Sequence, residues 1–228
     1  MEDKRLTFRV LAALLRYPDA DFRAAVPELV QALDVERALP TARLAELTRL
    51  LGEFQSMDSF ETEARFLETF DRGRATSLHL FEHVHGDSRD RGPALVDLGQ
   101  TYERAGLSFQ GDELPDHLSV VLEFVSTQPE DVATGFLGEI EHILNAVFSA
   151  LRERQSPYAC VLAAVLEMTG QKARTVPVEP EQAVDETWAE PVAFDGCSTA
   201  GQASPGSPQP IHIVRSNKPA TPPQGARA

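Results

Sequence analysis

From Leu6 to about Gly170 the apolar residues recur three and four positions apart, and that spacing restricts the chain to packed helices. Leu6, Val10 and Leu14 form one stripe, and Leu44, Leu47, Leu51 and Phe54 form another. The period-two alternation that buries one face of a strand is almost absent, so no sheet is expected. The longest amphipathic stretch runs from about Glu130 to Glu153, where Phe136, Ile140, Ile143, Leu144, Val147 and Leu151 keep one side apolar. It is the expected centre of the fold.

Punctuation divides the pattern into elements. Tyr17-Pro18 stops the first helix, Pro27 and Pro40 open new ones, and Gly106 and Gly170 stand where C-terminal caps belong. One helix is predicted to begin at Asp90 and turn Leu95, Leu98 and Tyr102 inward. The next is predicted from Pro115, with Leu118, Val121, Leu122 and Val125 on its buried side. The expected fold is all-α: a single bundle-like domain of about nine helices over residues 1–170.

Composition changes at Gln171. Nine of the sixteen prolines fall in residues 171–228, with many Ser, Gly and Ala and little periodic hydrophobicity. No core there offsets the entropy of ordering, so a disordered tail is expected. Two apolar islands interrupt it, Trp188 to Phe194 and Pro210 to Val214. Either could dock on a partner or be a chance cluster.

The net charge of −14 restricts the partners. Nucleic-acid backbones and anionic lipid are repelled, whereas a basic peptide is attracted. Residues 1–170 carry 29 of the acids against 16 bases, so the acidity belongs to the predicted domain. The first residues read as an amphipathic helix rather than a signal, because Arg9 and Arg16 interrupt the apolar run. No stretch approaches membrane-spanning length, and Cys160 and Cys197 are too far apart to suggest a disulfide framework or a metal knuckle. A cytoplasmic protein is expected.

Polar chemistry concentrates between Ser77 and Gly92, which hold three histidines, three acids and two arginines. His79-x-x-Glu82-His83 matches the H-x-x-E-H pattern of a class of zinc peptidases. On a helix, residues four apart share a face, so two imidazoles could meet one zinc ion. Two ligands do not make a site, and the third would have to be a distal acid such as Glu139 or Glu141, of which an acidic chain always has some. The surrounding Leu78, Leu80, Phe81 and Val84 equally suit histidines lining a packed helix. Hydrolysis is therefore the weaker reading.

Asp87, Ser88, Arg89, Asp90 and Arg91 read either as a solvated helix start, with Asp87 or Ser88 capping, or as ion pairs that hold Glu82 and Asp116 towards a groove. Pro115-Asp116 is a good helix start by itself. His117 next to a carboxylate suits a hydrogen-bonded structural role as well as recognition. Tyr102, Phe109 and Phe124 read as core, or as an apolar floor if partly exposed. No nucleophile elbow, phosphate-binding glycine loop or C-x-x-C is present.

Two stretches carry a family resemblance: Ser77 to Gly92, and ELPDHLSVVLEF from Glu113 to Phe124. With LLRYPD near the start and Thr69-Phe70-Asp71 ahead of the histidines, the chain resembles the NarJ-type assembly chaperones of respiratory nitrate reductase. The similarity is densest from Thr69 through Ser126 and extends in arrangement over residues 5–170. The wider TorD-like superfamily of redox-enzyme maturation proteins carries a Pro-x-Asp-His type signature at a helix start. Here the residues are Pro115, Asp116 and His117, with proline directly before aspartate as in the nitrate-reductase branch.

The resemblance implies an all-helical protein without catalytic activity, whose client is the catalytic alpha subunit of nitrate reductase. It implies binding of an N-terminal, leader-like segment while the molybdenum cofactor is inserted into the client, with no cofactor or metal held stably by the chaperone, before release to the membrane. The candidate partner-binding residues are Glu82, His83, His85, Asp87, Arg89, Asp90, Tyr102, Asp116, His117 and Glu123. Oligomeric state is left open by the sequence.

Overall fold

The computed structural model describes residues 4–86, 88–108 and 113–178. Among them are ten α-helices and one short 3₁₀ turn, with no β-strand. The helices are α1 (Arg5–Leu14), α2 (Ala20–Glu36), α3 (Thr41–Ser56), α4 (Ser59–Phe70), α5 (Leu80–His85), α6 (Arg91–Arg104), α7 (Leu118–Ser126), α8 (Glu130–Glu139), α9 (Glu141–Glu153) and α10 (Ala159–Met168). The 3₁₀ turn, Arg74–Thr76, links α4 to α5.

The centre is α10 rather than the expected Glu130–Glu153 segment. Val161, Leu162, Ala163, Ala164, Val165 and Leu166 are all buried, and the helix packs against α1, α3 and α9. A helix apolar on every side has no stripe to orient and belongs inside. Burying each of its larger side chains stabilises the fold by about 1.5–3 kcal/mol. Tyr158, just before α10, anchors an aromatic cluster with Phe54, Phe66 and Phe70 at ring-centroid distances of 6.1, 6.0 and 4.8 Å.

The Glu130–Glu153 stretch is two helices. Ile140, at φ −100° and ψ 8°, leaves helical geometry and both ends α8 and begins α9. Gly135 and Gly138 weaken α8 ahead of the break. The bend lets α8 pack on α7 and α9 on α10 and the 3₁₀ turn, with Leu137, Ile143, Leu144 and Val147 buried.

Pro27 opens no helix. It lies within α2, which starts after Asp19, whose side chain accepts from Phe22 N–H. Pro27 is exposed, while Phe22, Val26 and Leu33 bury the opposite side and carry the helix past it. Pro40 does stand at the start of α3. Gly106 and Gly170 close α6 and α10: the N–H groups of Leu107 and Gln171 reach back to Tyr102 O and Leu166 O, both at 3.0 Å.

The tail expected from residue 171 is held for its first part. Residues 171–178 run without helix beside α9, where Arg174 N–H donates to Asn145 Oδ1 at 2.8 Å and Val176 N–H to Ser149 Oγ at 2.9 Å. Cys197, Trp188 to Phe194 and Pro210 to Val214 lie outside the described residues.

Candidate functional site

The two sequence stretches singled out above meet at the N-termini of α5 and α7. Leu80 N–H donates to Asp116 O at 3.1 Å and Leu118 N–H to Leu78 O at 2.8 Å, forming one antiparallel bridge between His79 and His117. The positive ends of two helix dipoles therefore converge, and the fully buried Asp116 carboxylate lies between them. Its Oδ2 accepts from Phe81 N–H at 3.0 Å, in the first turn of α5. Asp116 thus caps a helix far from it in sequence rather than its own. Helix α7 starts later than expected, at Leu118, with the His117 side chain as its cap through a bond from Ser119 N–H.

This geometry sets the charge states. Burial works to raise the Asp116 pKa, but hydrogen bonds from His79 and Phe81 N–H and the charges of His79 and Arg91 outweigh it, leaving the carboxyl below its ordinary value. The Asp116 bond raises the pKa of His79 against the opposing effect of its burial. Burial lowers those of His83 and His117, which favours neutral rings.

The helical pairing behind the zinc-peptidase reading does not form. His79 precedes α5 in extended geometry, its Nδ1 3.4 Å from Asp116 Oδ1, whereas His83 on α5 lies 2.9 Å from Ser77 O through Nε2. Glu82 is engaged by Ser77 Oγ and by Arg91 at 3.2 Å. Of the ion pairs expected around Glu82, the one with Arg91 is present, but Asp116 lies beneath the surface rather than on it.

A cavity of about 550 Å³ opens over this junction. Phe66, Leu67 and Phe70 from α4 and Tyr17 give it apolar walls, and Asp71, Glu82 and Glu113 carry acid groups into its lining. His79, His117, Arg74 and Arg91 complete its polar side. Arg74 also donates to Glu82 O at 2.6 Å and lies against Gly86, whose φ of +55° and missing Cβ make room for it.

Of the candidate partner-binding residues, Glu82 and His117 line this cavity. Asp116 supports it from below. His83 is half-buried beside it, and His85 packs on Phe81 with ring centroids 5.6 Å apart. Arg89 and Asp90 are exposed ahead of α6, and Asp90 precedes that helix without a side-chain capping bond; its N–H donates to Ser88 Oγ. Asp87 and Phe109 lie outside the described residues. Tyr102 is buried, its hydroxyl donating to Pro115 O at 2.8 Å, and its ring packs on Phe124. Tyr102 and Glu123 border a different cavity, of about 420 Å³, with Leu107, Val120 and Phe124.

Sequence reasoning did not select Phe66, Leu67, Asp71 or Glu113 as site residues. The available signal was Leu67, an apolar residue left exposed on α4, next to Thr69-Phe70-Asp71. Cys160 faces a third cavity, but burial pushes its thiol pKa up to about 12, so it stays protonated near neutrality.

Comparison with known proteins gives the family and the fold. A family model described as nitrate reductase delta subunit matches residues 17–164. The nitrate reductase molybdenum cofactor assembly chaperone NarJ of Escherichia coli K12 is 37% identical over 191 residues, spanning 79% of this chain and 81% of the relative. A Bacillus subtilis protein with the same description, qualified as probable, is 33% identical over 174 residues, spanning 74% and 92%. The crystal structure of an Archaeoglobus fulgidus protein described as a redox enzyme maturation protein has the same fold, with TM-score 0.54 and 18% identity over 73% of this chain and 94% of that one. The chain belongs to the nitrate reductase delta subunit family.

Proposed function

We propose that this protein is an assembly chaperone for a respiratory nitrate reductase, holding the catalytic alpha subunit by its N-terminal segment while the molybdenum cofactor enters the client. Relatives named as nitrate reductase molybdenum cofactor assembly chaperones support nitrate reductase as the client enzyme; the choice of subunit and segment is part of the proposal. The observation that carries the mode of binding is the cavity over the α5–α7 junction, where apolar walls from Phe66, Leu67 and Phe70 lie beside Asp71, Glu82 and Glu113. An amphipathic basic peptide matches that lining: its apolar side chains meet the walls and its arginines meet the acids. The whole chain's charge of −14 speeds the encounter and sets its salt dependence.

Binding an open client preferentially keeps it open by mass action, and that is the part in cofactor insertion this reading gives the chain. The reading assigns no bond-breaking step to this chain and no resident cofactor. Among the described residues no helix is long and apolar enough to cross a membrane, and the proposed place of action is the cytoplasm, where the client is assembled.

The test is a titration of the full chain with a synthetic peptide spanning the client's N-terminus. Saturable binding that weakens with salt is expected. An arginine–carboxylate pair in a partly desolvated groove contributes about 1.5–3 kcal/mol, against less than about 1 on an open surface. Glu82→Gln and Leu67→Ala should each weaken the peptide. Asp116→Asn should not do so while the fold is intact, because Asp116 has no exposed surface. Absence of binding at low ionic strength, or the parent's affinity retained in both Glu82→Gln and Leu67→Ala, refutes the assignment of this cavity.

A further inference from the structure

The bridge that joins α5 to α7 also brings together a ligand set that the sequence pattern did not indicate. We propose that His79, His117 and Glu113 form a binding site for a divalent transition-metal cation of the zinc, cobalt and nickel class. One donor atom from each lies within 4.8 Å of the other two. Donors around a tetrahedral cation are about 3.4 Å apart, so a closure of roughly 1.4 Å completes the set. Glu113 is exposed and free to supply that movement.

The histidines are arranged as ligands rather than merely close. Buried Asp116 engages His79 through Nδ1, and Ser119 Oγ lies 2.7 Å from Nδ1 of His117. Nε2 of each ring has no hydrogen-bond partner among the described residues. A carboxylate or hydroxyl on the far nitrogen is the usual way a metal-binding imidazole is oriented and its tautomer selected. On His117 a cation at Nε2 leaves the proton of the neutral ring on Nδ1, so binding exchanges the cap that Nδ1 gives Ser119 N–H for a bond donated to Ser119 Oγ.

Two imidazoles and one carboxylate leave a fourth position, open to the cavity, for water or a donor from a bound molecule. Mixed nitrogen and oxygen donors select this class over calcium or magnesium, which take oxygen alone. The cation would tie Glu113, at the end of the α6–α7 connection, to the start of α5. No catalysis is assigned to it; the site shares the cavity and Glu113 with the peptide reading but is argued from the ligand geometry alone.

The test uses the full chain, stripped of metal and titrated with cobalt(II) in the absence of peptide. One equivalent is expected to bind, with the intense visible absorption of a low-coordinate nitrogen–oxygen site and a rise in melting temperature. Glu113→Gln and His79→Gln should each lower affinity by tenfold or more, while His142→Gln, on α9, should leave it unchanged. Because Glu113 is exposed, its variant is testable even if the His79 variant misfolds. No binding to the parent chain, or a loss smaller than tenfold in Glu113→Gln, overturns the site.

Discussion

Replacing Asp116 by alanine tests whether one carboxylate secures the junction of two helices. The side chain is fully buried and accepts from Phe81 N–H at 3.0 Å and from His79. Removing a helix cap costs about 1 kcal/mol, and leaving a buried amide without a partner costs about 1–3. These effects overlap, and the expected loss is about 2–4 kcal/mol. Asp116→Asn keeps an oxygen for Phe81 N–H and loses only the charge beside His79, so its loss should be about half as large. Equilibrium urea unfolding followed by far-UV circular dichroism reads both from the shift in midpoint at constant slope. A loss below about 1 kcal/mol in the alanine variant, or equal losses in the two variants, refutes the argument that Asp116 caps α5.

Three further outcomes are expected. Gly86→Ala should destabilise by about 1–3 kcal/mol, since alanine is strained at φ +55° and its Cβ displaces Arg74 from Glu82 O; thermal unfolding measures it. His83 has its pKa lowered by burial, with the Ser77 carbonyl and Glu82 opposing and Arg74 reinforcing the shift, so its neutral ring favours the fold. That contribution is present above the ordinary value of 6.5 and is lost as pH falls through the lower folded value, so His83→Gln should lose less stability than the parent between about pH 7 and about pH 5. Leu162→Ala, in the middle of α10, should cost about 2–5 kcal/mol in urea unfolding, whereas Val132→Ala on the exposed side of α8 should fall within about 0.5.

Periodicity is informative where a helix has two unlike sides, which explains why the buried faces of α1 and α3 were legible and the central place of α10 was not. It also merged α8 with α9, because apolar spacing continues through Ile140 while the backbone does not. The two segments that carry the family resemblance, Ser77 to Gly92 and Glu113 to Phe124, meet in the structure. The resemblance did not separate the residues lining one cavity from those bordering another, or from Tyr102 in the core.

Local chemistry in the sequence was enough to determine a helical domain before residue 171, its acidic charge and the capping glycines at 106 and 170, because each depends on neighbours within a few positions. The pairing of His79 with His117, the burial of Asp116 and the alignment of α4 beside both were decided by tertiary structure alone. The contacts of Asp116 with His79 and Phe81 join residues more than thirty positions apart, and no spacing rule along the chain encodes which helix end a buried carboxylate will cap.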